Sequence, residues 1–459
     1  MSGASRPNVL LVVADDQRFD TISALGNDHV ETPNFDSLVR DGTAFTHHYN
    51  VGADQEAVCV PARSMIMSGH SLYQLEGPGG MTTEHPTLPE TFGDAGYRTF
   101  GTGKWHNGRQ AFNRSFDEGA DIYFGGMGNH WNLPVSDRHA MGEYPEPRPT
   151  RGFSGTGSVW PGRHQYDRYA SGTHSSELFA GATIDFLDDH ADSADERPFF
   201  AYMATTAPHD PRTCPGEYLS MYDHDEIPLP ESFQPEHPFD IGWCGRDENL
   251  EDHPRDPENV RRHIADYYAM ITHLDAQIGR VLDALEEMGE RDNTIVAFTA
   301  DHGLAVGRHG LMGKQNLYDH SVRVPLLLAG PGVPDSERCD TLTCHYDLFP
   351  TLCDIAGLET PDAVEGESVV PAFDDPGYSP RDAVFLAYEN VQRAVRGDRF
   401  KLIEYYVDGD RHTQLFDLEV DPDETMDLSD DDEYESELAT LRKRLARAQT
   451  EMGDPMARE

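Results

Sequence analysis

Cys59 opens the run Cys59-Val60-Pro61-Ala62-Arg63, and two acidic groups far from it in sequence, Asp15-Asp16 and Asp301-His302, each follow an apolar segment. A thiol followed at fixed spacing by proline and arginine, set against paired hard oxygen donors, suggests a modified nucleophile beside a hard cation. Pro61 suits the first turn of a helix and Met65, Ile66 and Met67 continue an apolar pattern, so Cys59 is expected at a helix N-terminus. Unpaired N–H groups and the positive dipole end favour an anion there and lower a thiol pKa, with Arg63 one turn on along the same side. An isolated cysteine is more often a small buried core residue. The chemistry therefore depends on what the other elements bring beside it.

Those elements alternate. Asn8 to Ala14 and Thr294 to Thr299 are near-continuous apolar runs of the kind a parallel strand buried on both faces uses, and Phe199 to Met203 and Pro325 to Ala329 read as further core strands. Helical patterns lie between them at Asn34 to Arg40, Ser176 to Asp189 and Asn259 to Met288. Strands alternating with helices predict an α/β fold, with ligands beyond the carboxyl ends of the strands, where the two acidic pairs meet. Tyr123 to Tyr169, rich in Gly, Pro, His and Trp with little period, reads as a long insertion or lid. Beyond it the expected division is a large domain over 1–375 and a small C-terminal domain over 376–459, with strands at Ala383 to Tyr388, Arg399 to Glu404 and Gln414 to Asp417 and a final helix through Arg447.

Composition limits the partners. Lys plus Arg number 36 and Asp plus Glu 82, so the formal charge is 36 − 82 = −46. That excludes the basic footprint of a nucleic-acid-binding protein. With 19 Tyr and 21 Phe the chain has plenty to bury, so the acid reads as a solvated coat suited to a salt-rich interior, where a short Debye length screens self-repulsion. Six cysteines without Cys-x-x-Cys spacing do not indicate a disulfide framework. Met1 to Pro7 lacks a charged region followed by a long apolar stretch, and Val9 to Ala14 is too short to span a membrane, so a soluble, cytoplasmic protein is expected.

Cys59-Val60-Pro61-Ala62-Arg63 followed by Ser68-Gly69 resembles the signature of the type I sulfatases of the alkaline phosphatase superfamily. Gly96-Tyr97-Arg98-Thr99, leading through Gly103 to Lys104-Trp105-His106, is similar to that family's other characteristic block. The resemblance extends through Ala207-Pro208-His209, Asp301-His302-Gly303 and Gly313-Lys314 in the expected order. It departs at Ala62, where serine is common, and at Met67-Ser68, where Leu-Thr is more usual; the proline and arginine that the maturation enzyme reads are present.

The resemblance implies an alkaline-phosphatase-like fold: a large, mixed but mostly parallel central sheet flanked by helices, with a smaller C-terminal α+β domain. It also implies oxidation of Cys59 to formylglycine by a maturation enzyme, and hydrolysis of a small organic sulfate monoester of the aryl, choline or iduronate type. Asp15, Asp16, Asp301, His302 and residue 59 are the expected ligands of one divalent cation, most readily Ca²⁺, with Mg²⁺ or Mn²⁺ as alternatives. Asp-His in place of Asp-Asn at 301–302 resembles the choline and iduronate type. Arg63, Lys104 and Lys314 are expected to neutralise charge growing on the sulfuryl group. His209 or Lys314 would protonate the leaving alcohol, and His106 would help expel sulfate from the hydrated aldehyde. His47, His48, His130, His164, His309 and His345 are left as surface or hydrogen-bonded groups. A phosphoryl or phosphonate monoester hydrolase of the same superfamily would use a similar site, and an unmodified Cys59 would leave a non-catalytic binder of sulfated ligands.

Overall fold

The computed structural model describes residues 6–77, 80–139, 148–153, 159–164, 166–242, 246–375 and 377–457. Its centre is a nine-stranded sheet. From one edge the order is Glu337–Cys339, Gly42–Tyr49, Arg323–Ala329, Thr294–Ala300, Asn8–Ala14, Phe199–Ala204, Arg98–Lys104 and Glu118–Tyr123, with Thr343–Cys344 also pairing Gly42–Tyr49. All pairings are parallel except the two made by Arg323–Ala329, so the sheet is mixed and mostly parallel, as expected.

Asn8–Ala14 is buried along its whole length because both faces are covered. Leu10 and Val12 pack with Phe35, Phe179, Ile271 and Leu274 from the helices Pro33–Arg40, Ser175–Asp192 and Pro257–Glu287. Val9, Leu11 and Val13 share the opposite core with Ile66, Met67, Phe92 and Leu352 from Cys59–Ser68, Leu88–Asp94 and Leu348–Ile355. Each large side chain so buried stabilises by about 1.5–3 kcal/mol. The 31-residue helix Pro257–Glu287 starts where Asp256 accepts from the N–H groups of Glu258 and Asn259, two residues before the sequence pattern begins.

Two expectations change. The segment read as an aperiodic insertion contains regular structure: Asn132–Val135 pairs antiparallel with Arg168–Ser171, and Arg148–Phe153 with Val159–His164. These are short polar strands whose Gly and Pro hide the period of two; residues 140–147, 154–158 and 165 of the insertion, like Cys244, lie outside the described residues. The C-terminal sheet also holds a strand the sequence reading omits, Gln392–Gly397, which lies between Ala383–Tyr388 and Phe400–Val407, with Asp410–Asp417 beyond the latter. It reads as polar because it carries Gln392, Arg393 and Arg396, yet all six residues are buried and Arg393 is neutralised by Asp454 at 2.7 and 2.8 Å. Gly52–Ala53, just before the Cys59 helix, completes this second sheet as a parallel edge. Among the described residues no helix is long and apolar enough to cross a membrane.

Candidate active site

Register explains how distant residues meet. Ala14 lies opposite Ala300, so Asp15 and Asp301 leave adjacent strands at the same level, and the Asp301 N–H donates to the Ala14 carbonyl at 3.0 Å. On the other side Val13 pairs Ala204, which pairs Gly103, so Lys104 arrives level with them. Gly103 has φ +85°, and a Cβ there would lie 1.7 Å from the Ala204 carbonyl oxygen. Only glycine fits this position. Gly303 is equally constrained: its Cβ would meet the His320 carbonyl at 2.1 Å, so the chain turns away directly after His302.

Cys59 is the first residue of a helix in which only Val60 is not fully buried, and that helix ends at Gly69 in the left-handed conformation. The expected N-terminal position of the thiol is therefore what the structure shows. Its Sγ lies 3.2 Å from His302 Nε2 and 3.8 Å from Asp15 Oδ1. Ligand atoms of Asp15, Cys59, Asp301 and His302 all lie within 4.8 Å of one another. Asp16 stands beside this group, with Oδ1 3.2 Å from His302 Nε2.

Each carboxylate carries its own cationic partner. Lys104 Nζ contacts Asp15 Oδ2 at 2.5 Å, Lys314 Nζ contacts Asp16 Oδ1 at 2.7 Å, and Arg63 Nε and Nη2 contact Asp301 Oδ2 at 3.1 and 3.0 Å. Arg63 is further held by the Lys104 carbonyl at 2.9 Å and the Tyr202 hydroxyl at 3.3 Å. Burial pushes the Cys59 thiol up, but Lys104 and Lys314 outweigh it and bring its pKa down to about 6. Burial also raises Asp16, yet His209 and Lys314 hold it at about 2. Burial, with Asp301 adding to it, lifts Asp15 to about 7 despite Lys104. Burial alone would keep His302 and His209 neutral, but Asp301 pulls His302 up to about 9 and Asp16 does the same to His209.

The donor set fits a hard divalent cation. It offers three buried carboxylates and an imidazole whose Nδ1 bonds the Gly303 carbonyl at 3.0 Å, which turns Nε2 toward the acids. Asp16 Oδ2 is buried with no hydrogen-bond partner among the described residues. A dication would supply the positive charge that a proton on His302 otherwise provides.

The two remaining histidines differ in state. His209 Nδ1 faces the carboxylate of Asp210 at 3.0 Å, and Nε2 points at Asp16 Oδ2 from 3.9 Å. His106 is held at about 3, chiefly by burial and then by Lys104, and Gly126 packs against its ring. Asp16 and His106 both have left-handed backbones, φ 68° and 62°, a conformation costing about 1–3 kcal/mol each for non-glycine residues. Of these two rings, His209 is thus the protonated one and His106 the neutral one.

All the residues singled out by sequence fall at this one place. Those it missed surround them: Asn50 donates to the Asp301 carbonyl at 2.9 Å, His345 bonds the same oxygen at 3.0 Å, Tyr202 steadies Arg63, and Asp210 orients His209. Asn50 and His345 directly follow strand ends and Asp210 follows the His209 motif, which is the only signal they carried.

A mostly parallel sheet with acidic donors and a basic clamp beyond its strand ends is the alkaline-phosphatase-like architecture that the resemblance implies. A family model described as Sulfatase matches residues 7–358, and one described as N-sulphoglucosamine sulphohydrolase, C-terminal, matches 307–451. The chain belongs to the sulfatase family, whose members are sulfuric ester hydrolases. It is 28% identical to an arylsulfatase of Clostridium perfringens, over 95% of this chain and 93% of that one. It is 25% identical to an N-acetylglucosamine-6-O-sulfatase of Bacteroides thetaiotaomicron, over 98% and 87%. Among solved structures it resembles a protein in complex with its substrate D-glucosamine-2-N,6-O-disulfate, with TM-score 0.76, 22% identity and 99% of both chains covered. A phosphonate monoester hydrolase of Agrobacterium radiobacter shares the fold with TM-score 0.70, 22% identity and coverage of 97% and 96%.

Proposed function

We propose that this protein hydrolyses an organic sulfate monoester through a formylglycine made from Cys59, beside one divalent cation, most readily Ca²⁺. The observation that carries this reading is the convergence of Asp15, Cys59, Asp301 and His302 within 4.8 Å, ringed by Arg63, Lys104 and Lys314. Asp15, Asp16, Asp301 and His302 would hold the cation, with residue 59 next to it; when bound, the cation polarises a sulfate oxygen. The hydrated aldehyde at position 59 supplies the nucleophile.

The chain's own residues account for the remaining steps. Lys104 and Lys314, now paired with Asp15 and Asp16, are placed to turn toward the sulfuryl oxygens as charge develops on them. Arg63, fixed by three partners, orients Asp301 and adds positive charge without moving. His209, protonated through Asp16 and steered by Asp210, donates a proton to the leaving oxygen. His106, neutral, accepts one when sulfate is expelled.

The arylsulfatase and carbohydrate-sulfatase relatives support aryl or sugar sulfates as the substrate class, with choline sulfate as an alternative. Free cysteines at five described positions and the formal charge of −46 support a reducing, salt-rich cytoplasm. The shared fold of the phosphonate monoester hydrolase gives the rival reading a definite form. Parallel assays with nitrophenyl sulfate, nitrophenyl phosphate and a phenylphosphonate ester decide between them. The highest kcat/KM is expected on the sulfate; a higher value on either phosphorus ester would overturn the assignment.

A further inference from the structure

His48 and His345 do not touch the reacting groups directly, yet they form one end of the site's support. Both are fully buried, on neighbouring segments: His48 lies in Gly42–Tyr49, opposite Thr343 in Thr343–Cys344, and His345 follows that short strand. Three contacts run in series. Thr343 Oγ1 lies 2.8 Å from His48 Nδ1, His48 Nε2 lies 3.0 Å from His345 Nδ1, and His345 Nε2 lies 3.0 Å from the Asp301 carbonyl oxygen.

The far end fixes every proton in the chain. A carbonyl only accepts, so His345 Nε2 carries its hydrogen; in a neutral ring Nδ1 is then bare and accepts from His48 Nε2–H. His48 Nδ1 is bare in turn and accepts the Thr343 hydroxyl, whose other contact, the His47 carbonyl, is longer at 3.5 Å. Burial favours the neutral form of both rings. The oxygen that receives this chain belongs to the peptide joining Asp301 to His302, and Asn50 Nδ2 donates to it as well. On the other side of Asp301, its N–H is held by Ala14. Rotation of the 301–302 peptide would swing a carboxylate and an imidazole out of the donor cluster together.

We propose that the Thr343–His48–His345 hydrogen-bond chain sets the plane of the Asp301–His302 peptide, making His345 and His48 positioning residues for the cation site. The proposal rests on Asp301 and His302 being cation ligands, as proposed above. Outer partners of this kind change metal affinity by about 10–100-fold when removed. Mere packing predicts a different pattern, because phenylalanine fills the ring's volume while glutamine restores a donor and an acceptor.

The test is Ca²⁺ titration of the chelator-treated full chain, with nitrophenyl sulfate turnover and thermal midpoint measured alongside. His345→Phe is expected to weaken Ca²⁺ binding on the order of tenfold or more and to lower kcat with KM little changed. His345→Gln should recover most of both. His345→Phe binding Ca²⁺ as tightly as the unaltered chain overturns the proposal, as does His345→Gln being impaired as much as the phenylalanine variant. Should the phenylalanine variant not fold, Thr343→Val, which removes only the terminal hydroxyl, is expected to weaken binding a few-fold; unchanged affinity there is the contradicting result. An unaltered chain that binds none of Ca²⁺, Mg²⁺ or Mn²⁺ fails the cation site itself, and the inference falls with it.

Discussion

His209 and His106 both feel the charge of Asp15, yet one is charged and one neutral, and the difference lies in their nearest partners. Asp16 and Asp210 flank His209, whereas His106 is buried beside Lys104. A leaving group that ionises easily needs little help from an acid. His209→Asn is therefore expected to lower kcat about 10²–10⁴-fold on an alkyl or sugar sulfate and far less on nitrophenyl sulfate. Equal losses on both, measured by steady-state kinetics, would remove His209 from the role of proton donor. The residues gathered at the candidate site were legible because their types are chemically rare together: a Cys-Pro-Arg run, acids at strand ends, and His and Lys in short glycine-flanked motifs. Asn50, His48 and His345 were not. A buried histidine bonding a backbone carbonyl looks, in sequence, like any of the 22 histidines in the chain.

At the scale of elements, four core strands, Asn8–Ala14, Phe199–Ala204, Thr294–Ala300 and Arg323–Ala329, and the long helices followed from apolar runs and 3.6-residue periods, while strands of mixed polarity such as Gly42–Tyr49, Arg98–Lys104 and Gln392–Gly397 escaped. Gln392–Gly397 is the clearest case. Its Arg393 is fully buried and bonds both oxygens of Asp454 beyond the C-terminal helix Glu435–Glu451, so the sheet and the end of the chain are tied through one ion pair. A buried guanidinium whose partner is removed typically costs about 3–5 kcal/mol. Asp454→Ala is expected to destabilise by that order in denaturant unfolding, whereas Asp430→Ala, at an exposed acid, should fall within about 0.5 kcal/mol. A near-neutral Asp454→Ala would show that the pair does not anchor the strand. Because Gly52–Ala53 joins the same sheet shortly before Cys59, this element also bears on how the catalytic helix is seated.

The whole molecule carries −46 charges, and that surface dictates how it responds to its medium. The Debye length falls from about 8 Å at 0.15 M salt to about 3 Å at 1 M, so self-repulsion among surface carboxylates is screened while buried pairs are little affected. The thermal midpoint is expected to rise as KCl goes from 0.1 to about 2 M; a flat or falling midpoint would contradict adaptation to salt. Acid acts in the opposite direction. Burial holds His130, His273 and His309 at about 4 and His174 at about 2, below their ordinary 6.5, so the folded state binds fewer protons than the unfolded one as pH falls. Their contribution is complete above pH 6.5 and is lost below it, by about 1.4 kcal/mol per group per pH unit. Asp275, raised by burial to about 6, Glu424 and Asp15, raised to about 7, and His209 and His302, drawn up to about 9 by their carboxylate neighbours, work against this. His47 at about 3 and His237, His263 and His345 at about 4 add to the depressed set, which is the larger. Unfolding midpoints should therefore drop between pH 7 and pH 5 at constant high salt.

Every chemical step assigned to this fold depends on what residue 59 has become. The most direct measurement is mass spectrometry of the proteolytic peptide spanning Cys59, from protein made in its native host and alkylated before digestion. The predicted result is a peptide whose –CH₂SH is replaced by –CHO, resistant to thiol alkylation and reactive toward a hydrazine. Finding only the alkylated thiol, in protein that still turns over nitrophenyl sulfate, would contradict the account.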